Sequence, residues 1–186
     1  MKRSFDIILS VLSIFIFIFP MLVISIFILL TSKGPILYFS DRVGRNSVIF
    51  RMPKFRSMKI NAPVVATHLF TDIDKHLSPI GGFIRKSSLD ELPQLFSIVK
   101  GDMSFVGPRP ALFNQQDLID LRANKGLDKL IPGLTGWAQV NGRDEISIPD
   151  KVKLELEYME NKSFLLDLKI LWMTFMKVFK SQDISH

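Results

Sequence analysis

The chain contains no cysteine and only three histidines, His68, His76 and His186, far apart within its 186 residues. Disulfide scaffolding, thiol catalysis and cysteine-ligated zinc are thereby excluded, and the spacing of the histidines argues against a histidine metal site. No internal repeat and no low-complexity tract is present, so repeat architectures drop out. Acidic residues are scarce in the first 60 positions. Asp6 and Asp41 stand there against nine lysines and arginines, a formal +7, whereas the remainder carries fifteen basic against sixteen acidic residues, a formal −1. The excess positive charge therefore lies beside the longest hydrophobic run, where it suits anionic headgroups and phosphorylated substrates. A basic stripe with interleaved aromatics is also missing, which argues against nucleic acid as a partner.

What the sequence has is apolar bulk: 47% of its residues are hydrophobic, and at 186 residues it can form one domain with a sizeable core plus a membrane element. From Ile7 to Leu30 there are 24 residues without a charge. A straight helix of that length reaches about 36 Å, enough to span a hydrocarbon core of about 30 Å. Two features point elsewhere. Pro20 sits near the middle of the run, where it removes a backbone donor and breaks or kinks a helix. Positive charge flanks both ends, with Lys2 and Arg3 before and Lys33, Arg42 and Arg45 after, which favours keeping both ends on the cytoplasmic side. A kinked span and a re-entrant helix that dips into one leaflet and returns are both compatible with these residues. The run is too long for a cleaved signal peptide, and no small-residue cleavage site follows it.

Beyond TSKGP, residues 31–35, two strand-like runs flank the turn GRN at Gly44 to Asn46. Residues 60–80 read as a polar surface loop, IGGFIRK as a turn, and LDELPQLFSIVKG as a helix ending at Gly101. A Gly- and Pro-rich loop, DMSFVGPRP, covers residues 102–110, and a helix is predicted over 111–125. WAQV is a short apolar run between turns, and a further helix is predicted around Lys151 to Glu160. In the last segment Leu165, Leu168, Trp172, Phe175 and Phe179 fall on one helical stripe, with Lys169, Lys177 and Lys180 on the polar side. Such a stripe fits either core packing or an interfacial helix.

The chemistry-bearing stretch is SSLDELPQL, Ser87 to Leu95. Ser88 followed three residues later by Glu91 matches a capping box, and carboxylates in a first turn gain about 0.3 to 1 kcal/mol from the helix dipole. Taken alone, it reads as a helix start. Its cationic company supports a second reading. Arg85 precedes Asp90 by five residues, Arg109 is fixed between prolines in GPRP, and Lys54, Arg56 and Arg143 add further charge. An aspartate attacking a phosphate needs such cations because both reactants are negative, and a Mg²⁺ held by carboxylate and phosphate oxygens serves the same end.

SSLDELPQLFSIVKGDMSFVGPRP followed by PGLTGWAQVNGR strongly resembles the bacterial sugar transferases, the monotopic phosphoglycosyl transferases, and above all their small members. The resemblance runs from KRSFD at residues 2–6 to the C-terminal helices. It implies a membrane-associated α+β protein, predominantly helical, with a re-entrant helix over residues 1–34 broken at Pro20. Residues 35–186 would form a cytoplasmic catalytic body with interfacial amphipathic helices. The implied reaction moves a sugar 1-phosphate from a UDP-sugar, an N-acetylated or diacetamido hexose in many small members, to undecaprenyl phosphate, releasing UMP. Asp90 matches the nucleophile that forms a covalent phosphosugar intermediate, and Glu91 matches the residue that assists Mg²⁺ or acts as base. Arg85, Arg109, Pro108, Lys54, Asn141 and Arg143 match positions near the phosphates. The implied setting is the cytoplasmic face of the bacterial inner membrane, in contact with phospholipid, and the family also allows a homodimer. Phe19 stands before Pro20 where members often carry serine, so no hydroxyl is available there for a freed carbonyl. A catalytically silent scaffold or polyprenyl-phosphate binder is the rival expectation, and a one-step enzyme with Asp90 or Glu91 as base is the second. Trp137 fits either a place near uracil or sugar or packing under the PGLTG turn, and packing is favoured because aromatics so often serve the core.

Overall fold

A computed structural model describes residues 1–60, 62, 73–142 and 146–182. Helix α1, Lys2–Thr31, leads into an antiparallel pair, β1 Leu37–Val43 and β2 Ile49–Phe55. The turn between the strands holds Asn46 at φ 55 and Ser47 at φ 61 in the left-handed region, and asparagine tolerates that conformation well. Short helices α2, Ile73–His76, and α3, Gly81–Lys86, precede a 3-10 turn at Leu89–Glu91 and helix α4, Gln94–Lys100. Gly101, at φ 103, ends α4 as the left-handed residue that helix C-termini favour. The chain continues through β3 Ser104–Val106, β4 Ala111–Leu112, α5 Gln116–Asn124, β5 Gly133–Thr135, α6 Trp137–Asn141, α7 Ile148–Glu160 and α8 Phe164–Gln182.

The expected α+β, mainly helical class is thus observed. One sheet has the order β2-β1-β4 with antiparallel neighbours, and β3 and β5 pair in parallel as a second, two-stranded sheet. The principal core gathers Met52 from β2, Leu95 and Ile98 from α4, Phe105 from β3, Val140 from α6, Tyr158 from α7 and Ile170 from α8.

Several expectations need correction. IGGFIRK is not a turn but forms α3. The helix expected from residue 111 begins at Gln116, because Ala111 and Leu112 pair with β1. WAQV belongs to helix α6. Ser88 makes no side-chain cap and itself sits at φ 57, so the capping-box reading of SSLDE fails. Pro20 lies inside α1 and helix continues on both sides of it; what proline removes is the amide donor to the Ile16 carbonyl. Most of residues 60–80, expected as a loop, lie outside the described residues.

The two ends of α1 rest on the same body. At the start, Asp6 is buried and accepts from the Ser104 hydroxyl at 2.8 Å and the Phe105 amide at 3.2 Å. Lys2 donates to the Val106 carbonyl, the Tyr158 hydroxyl and Asp167, and Arg3 donates to the Ile98 and Val99 carbonyls in the last turn of α4. At the far end, Ile24 and Ile28 pack with Phe55 and Ile84, and Arg56 donates to the Ser32 and Lys33 carbonyls. Between them the helix is bare: Phe15 is 79% exposed and Phe19 72%. The α8 stripe is bare as well, with Leu165, Leu168, Trp172 and Phe175 facing outward while Ile170 and Asp167 face the core. Phe83 of α3 and Phe96 of α4 add to this exposed apolar surface. Core packing, one of the two readings of the stripe, is therefore ruled out for these four residues.

Candidate active site

In β1 the side chains of Tyr38, Ser40 and Arg42 alternate with their neighbours onto one face, and the register places Lys54 opposite Tyr38. These residues line a cleft of about 300 Å³, closed on another side by Arg85 and Asp90. Asp90 arrives there because Ser88, in its left-handed conformation, reverses the chain between α3 and α4. In the resulting 3-10 turn successive side chains diverge by about 120°, so adjacent carboxylates face different partners.

Glu91 is paired with two cations. Its Oε1 accepts from Lys54 Nζ at 2.7 Å and from Arg109 Nη2 at 2.8 Å. Burial pushes the Glu91 carboxyl up, but Arg109 and Lys54 outweigh it and hold the group at about 2. Asp90 has the opposite balance. It is 8% exposed, accepts no hydrogen bond among the described residues, and burial raises its carboxyl above the usual range. Lys54 pulls it back down and the neighbouring Glu91 charge pushes it further up. Burial lowers the Arg42 guanidinium to about 10, with the Arg109 charge adding to the effect. Two carboxylates whose surroundings drive them apart, one masked by cations and one bare toward a cleft, are the arrangement expected of a nucleophile beside a positioning group.

The loop carrying Arg109 is held rigidly. A Cβ on Gly107 would collide with the Ile131 carbonyl, so only glycine lets the two loops meet, and the Gly107 amide donates to Thr135 O at 2.9 Å. Arg122, buried beneath, donates to the Arg109 carbonyl at 2.9 Å while its Nε binds Glu155 at 2.8 Å. Arg42 Nη1 reaches the Pro110 carbonyl at 3.2 Å from the other side.

The donor set fits Mg²⁺ in the loose mode that uses one or two protein carboxylates plus substrate phosphates and water. Among the described residues Asp90 presents a carboxylate without a hydrogen bond to the cleft, and Lys54 and Arg109 engage one oxygen of Glu91. No cluster of three or more candidate ligands exists among the described residues, so the protein alone would not cage the ion.

The structure thus brings together Asp90, Glu91, Lys54, Arg85 and Arg109. It does not bring Asn141 to the cleft: that amide donates to the Trp137 carbonyl one turn back in α6. Pro108 lines a separate small cavity against α5 and shapes the loop rather than the cleft. Arg143 lies outside the described residues. Trp137 packs against the principal core and donates to Glu157 at 3.2 Å. Sequence reasoning missed Arg42, Tyr38 and Ser40. Their signal was the alternation of β1, which only strand pairing converts into a shared face.

An acid pair among converging cations thus lies in a protein whose first helix is long and apolar enough to cross a membrane. Residues 1–181 match the family model described as bacterial sugar transferase, and the chain belongs to that family. A UDP-glucose:undecaprenyl-phosphate glucose-1-phosphate transferase of Escherichia coli is 37% identical over 187 residues, covering 96% of this chain and 40% of the relative. An undecaprenyl-phosphate galactose phosphotransferase of Salmonella typhimurium is 35% identical over 192 residues, covering 94% and 39%. An uncharacterized sugar transferase of Bacillus subtilis is 41% identical over 155 residues, covering 82% and 74%. The chain therefore spans about two fifths of the two enterobacterial relatives and about three quarters of the Bacillus one.

Proposed function

We propose that the protein is a sugar-1-phosphate transferase that moves the group from a UDP-sugar to undecaprenyl phosphate in two displacements. In the first, Asp90 attacks the β-phosphorus; the bond from that phosphorus to the bridging oxygen breaks, and UMP leaves with the oxygen. In the second, an oxygen of undecaprenyl phosphate attacks the same phosphorus, Asp90 departs as carboxylate, and the polyprenyl diphosphate sugar forms. Splitting one transfer into two steps is the covalent strategy. The observation that carries this reading is the buried Asp90 carboxylate, without a hydrogen bond among the described residues, facing a cleft lined by Lys54, Arg85 and Arg42.

Each residue then has a task. Lys54 and Arg109 face the incoming phosphoryl oxygens and offset the repulsion between carboxylate and diphosphate. Glu91 orients both cations; held at about 2, it is a weak proton acceptor, which favours positioning or metal binding over general base catalysis. A phosphate monoester loses its second proton near about pH 6, so the lipid acceptor is already nucleophilic at neutral pH. Bound Mg²⁺, held by Asp90 and Glu91 with substrate oxygens, would supply charge neutralisation at the diphosphate.

The contacts at both ends of α1 support a re-entrant placement. A helix crossing the bilayer separates its ends, whereas here Lys2, Asp6, Ile28 and Ser32 all meet one body. The bare middle of α1 and the outward α8 stripe then lie in lipid, with the cleft at the cytoplasmic interface of the inner membrane where soluble donor and lipid acceptor meet.

Likeness to small family members makes an N-acetylated or diacetamido hexose the expected sugar and glycan initiation the expected role. UMP release from a panel of UDP-sugars, including glucose and galactose, by membranes bearing wild type or Asp90→Asn tests the reading. Release by wild type alone, dependent on undecaprenyl phosphate for turnover, is expected. Equal release by both proteins overturns the assignment of Asp90, and binding without release by either favours a non-catalytic lipid-phosphate binder.

A further inference from the structure

A second basic cavity lies away from the cleft. It has a volume of about 140 Å³ and is lined by Lys2, Arg45, Lys129, Lys162 and Tyr158, with Val106, Leu130 and Ile131 as its apolar wall; it shares no lining residue with the cleft that holds Asp90. Its four cations come from four separate segments: the start of α1, the β1–β2 turn, the 3-10 turn Leu127–Lys129, and the linker between α7 and α8. Lys2 is already balanced, donating to Asp167 at 2.7 Å and to the Tyr158 hydroxyl at 3.0 Å. Arg45, Lys129 and Lys162 have no ion pair or hydrogen bond to a side chain among the described residues, and all three are exposed at the rim. Three uncompensated cations facing one concavity repel one another, and a bound anion removes that cost.

We propose that this cavity is a phosphate-binding site. Its ligand is a phosphate group carried by an anionic phospholipid headgroup or free in solution, and its lysines and arginine supply the charge-assisted hydrogen bonds that phosphate accepts. The position suits the interface. Lys2 opens α1 ahead of its apolar run, Phe5 packs edge-on against Phe164 with ring centroids 5.2 Å apart, and Leu165, three residues beyond Lys162, is bare. An anion there ties α1, the β1–β2 turn and the α7–α8 linker together, next to the Lys2 contact with Val106 that begins the loop bearing Arg109.

The test uses the full chain in neutral detergent and in nanodiscs of phosphatidylcholine with or without phosphatidylglycerol. Thermal melting is followed with inorganic phosphate against chloride at equal ionic strength. Wild type and the double variant Lys129→Gln/Lys162→Gln are compared; both side chains are exposed, so folding is retained. Arg109→Gln serves as a control for phosphate bound in the cleft. The proposal expects a rise of about 3 to 5 °C at tenfold excess over Kd in wild type and in Arg109→Gln, and its loss in the double variant. A rise with inorganic phosphate assigns a free anion; a rise only in phosphatidylglycerol nanodiscs assigns a headgroup. No rise over chloride or phosphatidylcholine, or an undiminished rise in the double variant, overturns it.

Discussion

Replacing Glu91 with glutamine removes one charge and leaves Lys54 and Arg109 converging on a neutral amide. In the native protein a single oxygen accepts from both, at 2.7 and 2.8 Å. The carboxyl lies at about 2 against an ordinary value of 4.5. At about 1.4 kcal/mol per unit, the fold favours the ionised form by about 3 kcal/mol. Arg109 is 48% exposed, so its share is screened by solvent, and about 2 kcal/mol is the expected loss in Glu91→Gln at neutral pH. For a chain of this length that lowers Tm by about 4 to 8 °C, measured on purified protein in one detergent. The sign follows from the depressed carboxyl: its contribution is whole above the ordinary value of 4.5 and disappears as pH falls through about 2. The difference between wild type and variant therefore stays constant near neutrality and narrows only in that acid window. Lys100–Asp102, 75% and 26% exposed, is the internal control, and Asp102→Asn costs less than about 1 kcal/mol. A Glu91→Gln protein that melts with or above wild type at pH 7 would refute the claim that this carboxylate holds the cation cluster together.

Asp90→Asn is expected to raise Tm while abolishing transfer. Burial raises the Asp90 carboxyl, so folding disfavours its charge; that cost grows as pH rises from the ordinary value through the raised one, and asparagine removes it. For the same reason the acid limb of the pH–rate profile lies above the ordinary aspartate value of about 3.9, with activity falling as pH drops and Asp90 protonates. Glu155→Gln leaves the buried Arg122 without its counter-charge and should cost about 3 kcal/mol, read as a drop in Tm, together with a raised KM as the Arg109 carbonyl loses its anchor. Asp6→Ala should free the start of α1 from the Ser104 hydroxyl and Phe105 amide, seen as faster amide exchange over residues 2–10; unchanged exchange would count against that clamp.

The hairpin, the start and end of α7 to within a turn, and Gly101 as the end of α4 were legible because each rests on local rules: left-handed turn residues, period, a glycine C-cap. Helix α3 was not, since two glycines read as a turn. Gly81 is there for a tertiary reason, as any Cβ would collide with the Ser57 carbonyl. Ser88 illustrates the same limit: its pattern fits a cap, yet its backbone is used to reverse the chain and present Asp90. Within the site, Lys54, Arg85, Asp90, Glu91 and Arg109 could be named from motifs, but their convergence depends on strand register and on the Arg122–Glu155 pair beneath the loop. Arg42 was legible only as a flanking charge, because a strand cation resembles any solvated one until β1 is paired on both edges. Pro108 and Asn141 were carried over from motif position, and the geometry gives them local structural contacts instead.

The central claim is a covalent phosphosugar on Asp90, and intact-protein mass spectrometry of the full chain mixed with a UDP-sugar and Mg²⁺, without lipid acceptor, tests it most directly. The account predicts an adduct of one sugar phosphate on wild type, mapped to the peptide containing Asp90, discharged by undecaprenyl phosphate and absent from Asp90→Asn. Steady transfer by a wild-type protein that never carries the adduct, or an adduct on another residue, would contradict it.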